Sequence, residues 1–281
     1  MSSIKHKRIL VTGGAGSIGS ELVRQLCKKN KVFILDNNET GTFDLIEELK
    51  LKGHWVHGRI GDIRDKDTIK DVMSDFKPQI IFHAAAYKHV TPSQWYPEEY
   101  VSTNINGTLN LIREAKRWEC FEKFIFISTD KVVNATNVMG MTKKCAEGIV
   151  TSMGKGFVAV RFGNVLGSRG SVIPIWQQQI DRNEPLTVTD ERMERYMMTI
   201  PEACELVIWA ARLGKGGEVY VMDMGKPVNV LSLAKQILEK SGKTLGIKMI
   251  GLRQGETLDE KLMTKDEEAR AVKEGNFYVI H

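Results

Sequence analysis

The sequence predicts an α/β fold of the Rossmann type, in which a doubly wound parallel sheet carries helices on both faces. Short, nearly continuous apolar segments alternate with amphipathic segments through the first half of the chain, a pattern typical of parallel strands joined by crossover helices. A glycine-rich stretch, VTGGAGSIGSEL, also lies between the first strand and the first helix. Together these features favour a parallel sheet with a ligand site at the carboxyl ends of its strands.

The elements follow in a regular order up to about residue 164. Strands are predicted at KRILVTG, KVFILD, HWVHG, PQIIFHAAA, FEKFIFIST and FVAVRFGNV. Helices are predicted at SIGSELVRQLCKK, FDLIEELKLK, KDTIKDVMSDF, PEEYVSTNINGTLNLIREAKRW and NVMGMTKKCAEGIVTSM. Glycine and proline become frequent beyond this point, so we expect a Rossmann domain over 1–164 and a smaller C-terminal lobe over 165–281, interleaved in one unit. The last element expected is a charged helix in TLDEKLMTKDEEARAVKEG.

Composition narrows the class of protein. The chain has 281 residues, of which 42% are hydrophobic and 27% charged, as in globular proteins, and no apolar run approaches the roughly 20 residues of a membrane span. The net charge of +5 is dispersed among acidic residues, which argues against nucleic acid and suits a small anionic ligand. Four scattered cysteines form no metal pattern and favour a reduced, cytoplasmic protein without a metal site.

The glycine-rich stretch predicts a dinucleotide site. Gly13, Gly16 and Gly19 are spaced by three residues, and Ser17 and Ile18 open the helix that follows. Glycines at this spacing let backbone N–H groups approach a pyrophosphate at the helix N-terminus. The strand–loop–helix context makes the pattern far more specific than a glycine motif alone.

Residues after the next strands extend the prediction to the rest of the cofactor. Asp36 ends the second strand about 20 residues beyond the glycines, where an acid binds the adenosine ribose. A carboxylate there repels a 2′-phosphate and no arginine follows directly, which favours NAD over NADP. The adenine and the small space beside the cofactor are assigned to Asp62, Ile63, Ala84, Ala85 and Ala86.

Further stretches carry a resemblance to a known family. HAAAYKHV, TNINGT, STDKVVNATNVMGMTKK, RFGNVLGSRGSVIP, MMTIPEA and GEVYVMDMGKPVNVLSLAK are similar to segments of the extended short-chain dehydrogenases/reductases. Among these, the chain most resembles the UDP-N-acetylglucosamine 4,6-dehydratases of bacterial and archaeal polysaccharide biosynthesis, from residue 12 to about 235, with a weaker match at GLRQGETLDEKL. The large members of that family are membrane-anchored, so we expect this chain to be a soluble short form that binds no membrane and forms a homo-oligomer, a dimer or larger.

The resemblance also assigns the catalytic residues. In this family the segment after the fifth strand carries the acid and base of the elimination, here Thr129, Asp130 and Lys131. Lys143 matches the lysine of a Tyr-x-x-x-Lys motif, but Met139 stands where the tyrosine is usual. A thioether cannot exchange a proton, although members with methionine at this position are still dehydratases.

The chemistry implied by the resemblance needs an acid and a base side by side. Carbon 4 of the sugar is first oxidised by hydride transfer to NAD, a base then removes the proton at carbon 5, and an acid protonates the hydroxyl leaving carbon 6. Lys131 is the candidate base and Asp130 the candidate acid. Burial would shift the pKa of each toward the useful form, whereas a close ion pair would oppose both shifts. The proton of the carbon 4 hydroxyl is left to Thr129, to a water, or to a relay toward Asp130 or Lys143, of which a Thr129–water relay is favoured.

The resemblance places a UDP-sugar on the C-terminal side of the sheet. Its ligands are expected to be Lys88, His89, Asn164, Arg169, Val172, Arg195, Arg253 and Glu256. The expected reaction is therefore 4,6-dehydration of a UDP-N-acetylhexosamine, first of all UDP-N-acetylglucosamine. A UDP-hexose 4-epimerase or another sugar-nucleotide reductase stays open, as does a catalytically silent NAD-binding protein, for which Met139 is the main argument.

Overall fold

The strands of this chain come in an order that builds one large sheet and three small ribbons, in a computed structural model that describes residues 4–281. The strands are β1 (Arg8–Thr12), β2 (Lys31–Asp36), β3 (Val56–Ile60), β4 (Ile80–His83), β5 (Lys123–Ile127), β6 (Phe157–Arg161), β7 (Asn164–Val165), β8 (Leu186–Val188), β9 (Glu194–Arg195), β10 (Met197–Met198), β11 (Val219–Met222), β12 (Val228–Asn229), β13 (Ile247–Met249), β14 (Val272–Glu274) and β15 (Phe277–Ile280).

The helices alternate with these strands. They are α1 (Ser17–Leu26), α2 (Glu39–Leu51), α3 (Lys66–Phe76), α4 (Val90–Trp95), α5 (Pro97–Tyr100), α6 (Thr108–Ala115), α7 (Val138–Ser152), α8 (Val172–Asp181), α9 (Ile200–Leu213), α10 (Val230–Ser241) and α11 (Lys265–Arg270). A π-helical stretch, Val101–Gly107, joins α5 to α6, and a 3₁₀ turn, Asp130–Val132, follows β5. Within residues 4–281, no helix has both the length and the apolar composition needed to cross a bilayer.

The large sheet has the predicted Rossmann-type architecture. Its nine strands run in the order β14-β15-β11-β6-β5-β4-β1-β2-β3, and all pairs from β11 to β3 are parallel. The chain reverses its winding direction at β1, which lies between β2 and β4. In open parallel sheets this switch point opens a crevice beyond the carboxyl ends of the strands.

Both faces of the sheet are buried, which explains why its strands read as continuous apolar runs. Successive residues of β1 point to opposite faces, so that Ile9 and Val11 pack against α1, α2 and α9, while Leu10 packs against α3, α6 and α7. A third cluster lies away from the sheet and joins α8 to α10 around the fully buried Trp176. This cluster is the core of the smaller lobe.

The end of the chain differs from the prediction. The charged helix expected over 257–275 is wrong, because only Lys265–Arg270 is helical and the segment continues into β14 and β15. Phe277 and Val279 of β15 are almost fully buried against β11, and this burial outweighs the helical propensity of the charged residues before them. The sheet therefore takes strands from both sides of the boundary expected at residue 164.

The long helix predicted after β4 is interrupted for a structural reason. Within its π-helical stretch, the Asn104 side chain accepts a hydrogen bond from the Tyr87 N–H at 2.9 Å and donates one to the Tyr87 carbonyl at 3.0 Å. The same amide donates to the hydroxyl of Thr142 on α7 at 3.0 Å. The irregular turn thus fixes the loop after β4 to α7, and both border the site described below.

Candidate active site

The glycine-rich loop between β1 and α1 forms one wall of the site. Gly13 has φ of +67°, and a Cβ atom there would lie 2.5 Å from the amide nitrogen of Ala85. A Cβ on Gly19 would collide with the Gly13 carbonyl oxygen, so both positions require glycine. The N-cap residue of α1 is Gly16, and within the described residues no side chain caps the helix there. The helix N–H groups therefore face a cradle that only glycines allow, which fits a pyrophosphate.

Asp36 lies at the end of β2 and is tied to this loop. Its carboxylate accepts hydrogen bonds from the N–H groups of Ala15 and Asn38 at 2.8 and 2.9 Å. A hollow of about 250 Å³ opens beside it and includes every residue predicted for the adenosine half of the cofactor, namely Asp36, Asp62, Ile63, Ala84, Ala85 and Ala86. Asp62 pairs with Arg64 at 2.7 Å, and Arg169 also lines this hollow.

Arg169 contacts the glycine-rich loop. It was predicted to bind the substrate phosphates, but its guanidinium donates to the Ala15 carbonyl and its backbone N–H donates to the Ser17 hydroxyl at 3.0 Å. The side chain borders the hollow beside Asp36 and the larger cavity that continues from the glycine-rich loop. The next residue, Gly170, has φ of +71°, so the chain turns directly after Arg169.

A cavity of about 540 Å³ continues from the glycine-rich loop along the ends of β4, β5 and β6. It is lined by the predicted catalytic residues Thr129, Lys131, Met139 and Lys143 and by Lys88 and His89 from the loop after β4. Ser17 and Ile18 of the glycine-rich loop border it as well. The structure thus brings together the residues that were assigned to the nicotinamide and the reacting sugar.

Another cavity of about 410 Å³, here called the substrate cavity, lies between the sheet and the smaller lobe. The cavity of about 540 Å³ is called the cofactor-side cavity. It is lined by four residues predicted to bind the nucleotide of the substrate: Val172, Arg195, Arg253 and Glu256. Lys131 and Asn164 border both this cavity and the one on the cofactor side. These two residues mark the junction at which a bound sugar would meet a bound cofactor.

Asp130 is buried at that junction, with only 1% of its surface exposed. Its Oδ1 atom accepts hydrogen bonds from the Thr129 hydroxyl at 2.8 Å and from Lys131 Nζ at 3.1 Å. Within the described residues, its Oδ2 atom has no hydrogen-bond partner. Burial, opposed in part by Lys131 and reinforced by a second carboxylate, raises the pKa of Asp130 to about 6. Of the two opposed effects expected from the sequence, burial therefore outweighs the ion pair at Asp130.

At Lys131 the pKa shift has the opposite balance of causes. Burial alone would lower the pKa of its ammonium, but the carboxylates of Asp130 and Glu260 raise it, and the net shift is upward. Its Nζ atom lies 3.1 Å from Asp130 Oδ1, 2.9 Å from Glu260 Oε1 and 3.3 Å from Asn164 Oδ1. An ammonium group has three N–H donors, and here three protein oxygens receive them. Of the two opposed effects expected from the sequence, the ion pair with Asp130 therefore outweighs burial at Lys131, and the charge of Glu260 adds to it.

Glu260 is the functional-site residue that the sequence analysis missed. Its side chain is 7% exposed, and it contacts Arg195 at 3.3 Å in addition to Lys131. Its other carboxylate oxygen accepts a hydrogen bond from the Asn164 amide at 3.1 Å. The only signal was its position in the tail stretch GETLDEKL, which was interpreted as a charged, exposed helix.

Arg195 proves to be an internal anchor. Its guanidinium donates to the carbonyls of Thr257 and Leu258 at 2.7 and 2.9 Å and pairs with Glu260. The side chain is 10% exposed and its donors already point at the protein, although it was predicted to bind substrate. Arg195 borders the substrate cavity. Its contacts hold the 257–260 segment, which lines the same cavity, in place.

Lys143 and Met139 lie on α7 beside the cofactor-side cavity. The Lys143 ammonium donates to the Ile127 carbonyl and lies 3.9 Å above the Phe126 ring. Burial, only partly offset by Glu147, lowers the pKa of Lys143 to about 7. Met139 is 2% exposed, and its backbone N–H donates to the Ser93 hydroxyl at 3.2 Å. The methionine fills the tyrosine position with an apolar side chain, whereas Lys143 has access to its neutral form.

Comparison with known proteins gives a consistent grouping. A sequence profile of a family described as polysaccharide biosynthesis protein matches residues 9–281. The chain is 47% identical over 277 residues to the capsular polysaccharide biosynthesis protein CapD of Staphylococcus aureus, covering 94% of this chain and 46% of that protein. The chain thus spans about half the length of that relative. It is also 34% identical to a UDP-glucose 4-epimerase of Rickettsia bellii, covering 98% of this chain and 82% of that enzyme.

Solved structures agree on the fold. The chain superimposes on the X-ray structure of Pen from Bacillus thuringiensis with a TM-score of 0.92 and 36% identity, covering 98% of this chain and 88% of Pen. A UDP-glucose 4-epimerase of Thermus thermophilus in complex with NAD matches with a TM-score of 0.77 and 25% identity, covering 89% and 88% of the two chains. The nine-stranded sheet is therefore that of an established group of Rossmann-like proteins.

Proposed function

This chain belongs to the polysaccharide biosynthesis protein family, and from that premise we propose that it is an NAD-dependent 4,6-dehydratase of a UDP-N-acetylhexosamine, most simply UDP-N-acetylglucosamine. The single observation that carries the proposal is the buried Asp130–Lys131 pair at the junction of the two cavities. A base for carbon 5 and an acid for the carbon 6 hydroxyl must act on neighbouring atoms of one sugar ring. An acid and an amine 3.1 Å apart satisfy that requirement.

The cofactor proposed for the hollow beside Asp36 and the adjoining cofactor-side cavity is NAD. The uncapped N-terminus of α1, the glycine cradle and the Asp36 carboxylate fit a pyrophosphate and a ribose without a 2′-phosphate. The Thermus epimerase with the same fold is known in complex with NAD. Bound in this cavity, the nicotinamide would supply the hydride acceptor and later the hydride donor for the sugar. The protein's own part is to hold the sugar and to move its protons.

Oxidation at carbon 4 requires loss of the hydroxyl proton. Met139 cannot accept it, but Lys143 borders the same cavity and its pKa of about 7 leaves a large fraction of neutral amine near neutral pH. Thr129 directs its own proton at Asp130 and accepts the Lys131 backbone N–H at 3.4 Å, which leaves one lone pair of its oxygen to orient the carbon 4 hydroxyl. We assign Thr129 to orientation and Lys143, through a water, to proton acceptance.

The elimination uses the ion pair itself. Transfer of one proton from Lys131 Nζ to Asp130 Oδ1 breaks an N–H bond and forms an O–H bond, and the pair becomes a neutral amine and a carboxylic acid. No proton enters or leaves the site. The amine then accepts the carbon 5 proton, and the acid donates its proton to the departing carbon 6 hydroxyl, which leaves as water. A close ion pair is therefore compatible with acid–base catalysis once its proton moves across.

Mass spectrometry tests the proposal. The full chain, incubated with NAD and UDP-N-acetylglucosamine, should convert the sugar nucleotide to a product lighter by one water molecule. UDP-glucose, which lacks the N-acetyl group, is the matched control substrate. An unchanged mass after prolonged incubation, with the sugar nucleotide demonstrably bound, would exclude the dehydratase.

A UDP-hexose 4-epimerase is the second candidate, because the chain is 34% identical to the Rickettsia bellii enzyme over nearly its whole length. Epimerisation also begins by oxidation at carbon 4, but it needs no acid and base for carbons 5 and 6. The same incubation separates the two reactions, since an epimerase yields an isomer of identical mass that chromatography resolves. A silent NAD-binding protein would yield neither product.

A further inference from the structure

Lys131 is enclosed by more partners than a two-residue acid–base pair needs. Its Nζ atom has three acceptor oxygens, one each from Asp130, Glu260 and Asn164. Glu260 also makes the shortest of the three contacts, at 2.9 Å. The lysine therefore lies between two carboxylates, and the second of them comes from a distant part of the chain.

The position of Glu260 is built by the surrounding structure. Before it, Arg195 binds the carbonyls of Thr257 and Leu258. After it, the fully buried Arg161 donates to the Leu262 carbonyl at 3.0 Å. Arg161 is itself held by the carboxylates of Glu147 and Glu267, so two fixed arginines contact the irregular segment on the two sides of Glu260. A carboxylate that merely decorated the surface would need no such support.

We propose that Glu260 is a positioning residue for the Asp130–Lys131 pair, which holds the Lys131 ammonium at the junction of the two cavities and keeps it charged in the substrate-free protein. Its carboxylate oxygens are both occupied, one by Lys131 and Arg195 and the other by Asn164, so it is not free to take a proton from the sugar. Its negative charge opposes both the loss of the Lys131 proton and the ionisation of Asp130. Glu260 thereby keeps the proton that Lys131 and Asp130 can exchange on one of these two residues.

Other charged groups face the same space. Arg195 contacts Glu260 directly, Lys88 borders the cofactor-side cavity, and the substrate cavity is further lined by Arg253, Glu256, Asp259 and Lys261. The charge of Arg195 balances the carboxylate of Glu260, and the charge of Lys131 balances the carboxylate of Asp130. The pKa shifts agree with this arrangement, since the charge of Glu260 raises the pKa of both Asp130 and Lys131. For its consequences in catalysis, this inference rests on the dehydratase proposed above.

Competitive labelling of lysines tests the inference without any enzyme assay. The full chain is acetylated with trace acetic anhydride over a range of pH, and the labelling of Lys131 is compared by peptide mass spectrometry with that of exposed Lys70. In the wild-type protein Lys131 should label far more slowly than Lys70 near neutral pH, since only the neutral amine reacts. In Glu260→Gln its labelling should rise by about tenfold for each unit by which its pKa falls.

The controls separate charge from folding. Glu260→Asp keeps the charge and should keep Lys131 protected, and Glu268→Gln changes an exposed glutamate of α11 in the same way and should match the wild type. If Glu260→Gln does not fold, the wild-type pH profile still decides, because Lys131 labelling as fast as Lys70 near neutral pH would overturn the proposal. Equal labelling of Lys131 in folded Glu260→Gln and wild type would overturn it as well.

An activity arm distinguishes this inference from the proposed function. If the protein dehydrates UDP-N-acetylglucosamine, the pH profile of water loss should move to lower pH in Glu260→Gln, whereas a merely structural defect would lower the rate at every pH alike. Slow, charge-dependent labelling of Lys131 without any water loss would retain the role of Glu260 and reject the dehydratase. Water loss with an unshifted pH profile in Glu260→Gln would reject the role of Glu260 and retain the dehydratase.

Discussion

The hydroxyl of Thr129 donates a hydrogen bond to Oδ1 of Asp130 at 2.8 Å, from the residue directly before it in the chain. The bond fixes the hydroxyl proton on the Asp130 side, and the oxygen also accepts the Lys131 backbone N–H at 3.4 Å, which leaves one lone pair for a ligand in the cofactor-side cavity that Thr129 lines. Met139 borders the same cavity and has only an apolar thioether to offer. Of these two residues, only Thr129 has a group that can take part in the proton transfer usually performed by the tyrosine. Substitutions of Thr129 and Met139 should therefore have different effects.

Thr129→Val should lower the rate of carbon 4 oxidation by about a hundredfold, a typical loss for a group that orients a proton transfer. Thr129→Ser keeps the hydroxyl and should retain most of the rate. Met139→Leu conserves volume, costs less than about 1.5 kcal/mol of stability, and should retain most of the activity. The measurement is the single-turnover appearance of reduced nicotinamide. Equal losses in Thr129→Val and Met139→Leu would mean that the methionine shapes the site as much as the threonine serves it.

The pH dependence of that same step tests Lys143. Burial lowers the pKa of Lys143 to about 7, and only its neutral amine accepts the carbon 4 proton. Below this pKa the rate of reduced nicotinamide formation should therefore rise about tenfold per pH unit and level off above it. Lys143→Met should abolish this dependence together with most of the rate, while exposed Lys70→Met on α3 leaves both unchanged. A rate that falls as the pH rises through 7 would contradict the assignment.

Substitution of the two arginines that border the substrate cavity should affect different properties, ligand binding for Arg253 and thermal stability for Arg195. Arg253 is exposed, and Arg253→Gln should weaken UDP binding, measured by calorimetry, with little change in melting temperature. Arg195 is buried against three partners on the 257–260 segment. Loss of one partner from a buried pair costs about 3–5 kcal/mol, so Arg195→Gln should lower the melting temperature of the ligand-free protein. A large thermal shift for Arg253→Gln, or none for Arg195→Gln, would reverse these roles.

Cofactor preference follows from Asp36. The protein purified with its cofactor should release mainly NAD on denaturation, as identified by chromatography, because the Asp36 carboxylate repels a 2′-phosphate. Asp36→Ala should weaken NAD binding and narrow the difference from NADP, and Asp44→Ala, an exposed aspartate of α2, should do neither. Recovery of mostly NADP from the wild-type protein would overturn the prediction.

The sequence was most informative where function depends on backbone geometry next to a strand. Gly13 and Asp36 follow the first two strands, and strand ends of a parallel sheet converge on one edge, so their proximity followed from the pattern alone. Glu260 lies in no regular element, and Arg195 and Arg161 bind the backbone on either side of it. Such long-range side-chain-to-backbone bonds leave no periodic trace in the sequence.

The pKa of Lys131 shows the same limit. The family resemblance assigned Asp130 and Lys131, which follow the fifth strand, as the acid and the base. The pKa of the lysine is raised first by Asp130 and further by a second carboxylate, Glu260, which is 129 positions further along the chain and lies 2.9 Å away. Only the folded structure brings that charge to the lysine.

Asp130→Asn is the most direct test of the central claim, that the Asp130–Lys131 pair carries out the elimination after carbon 4 has been oxidised. The amide keeps the shape of the side chain but cannot serve as the acid. In a single turnover with NAD and UDP-N-acetylglucosamine, reduced nicotinamide should accumulate, and loss of water should slow by about a hundredfold or more, whereas exposed Asp44→Asn should behave as the wild type. Loss of water at the wild-type rate in Asp130→Asn would contradict the account, as would slow water loss without any reduced nicotinamide.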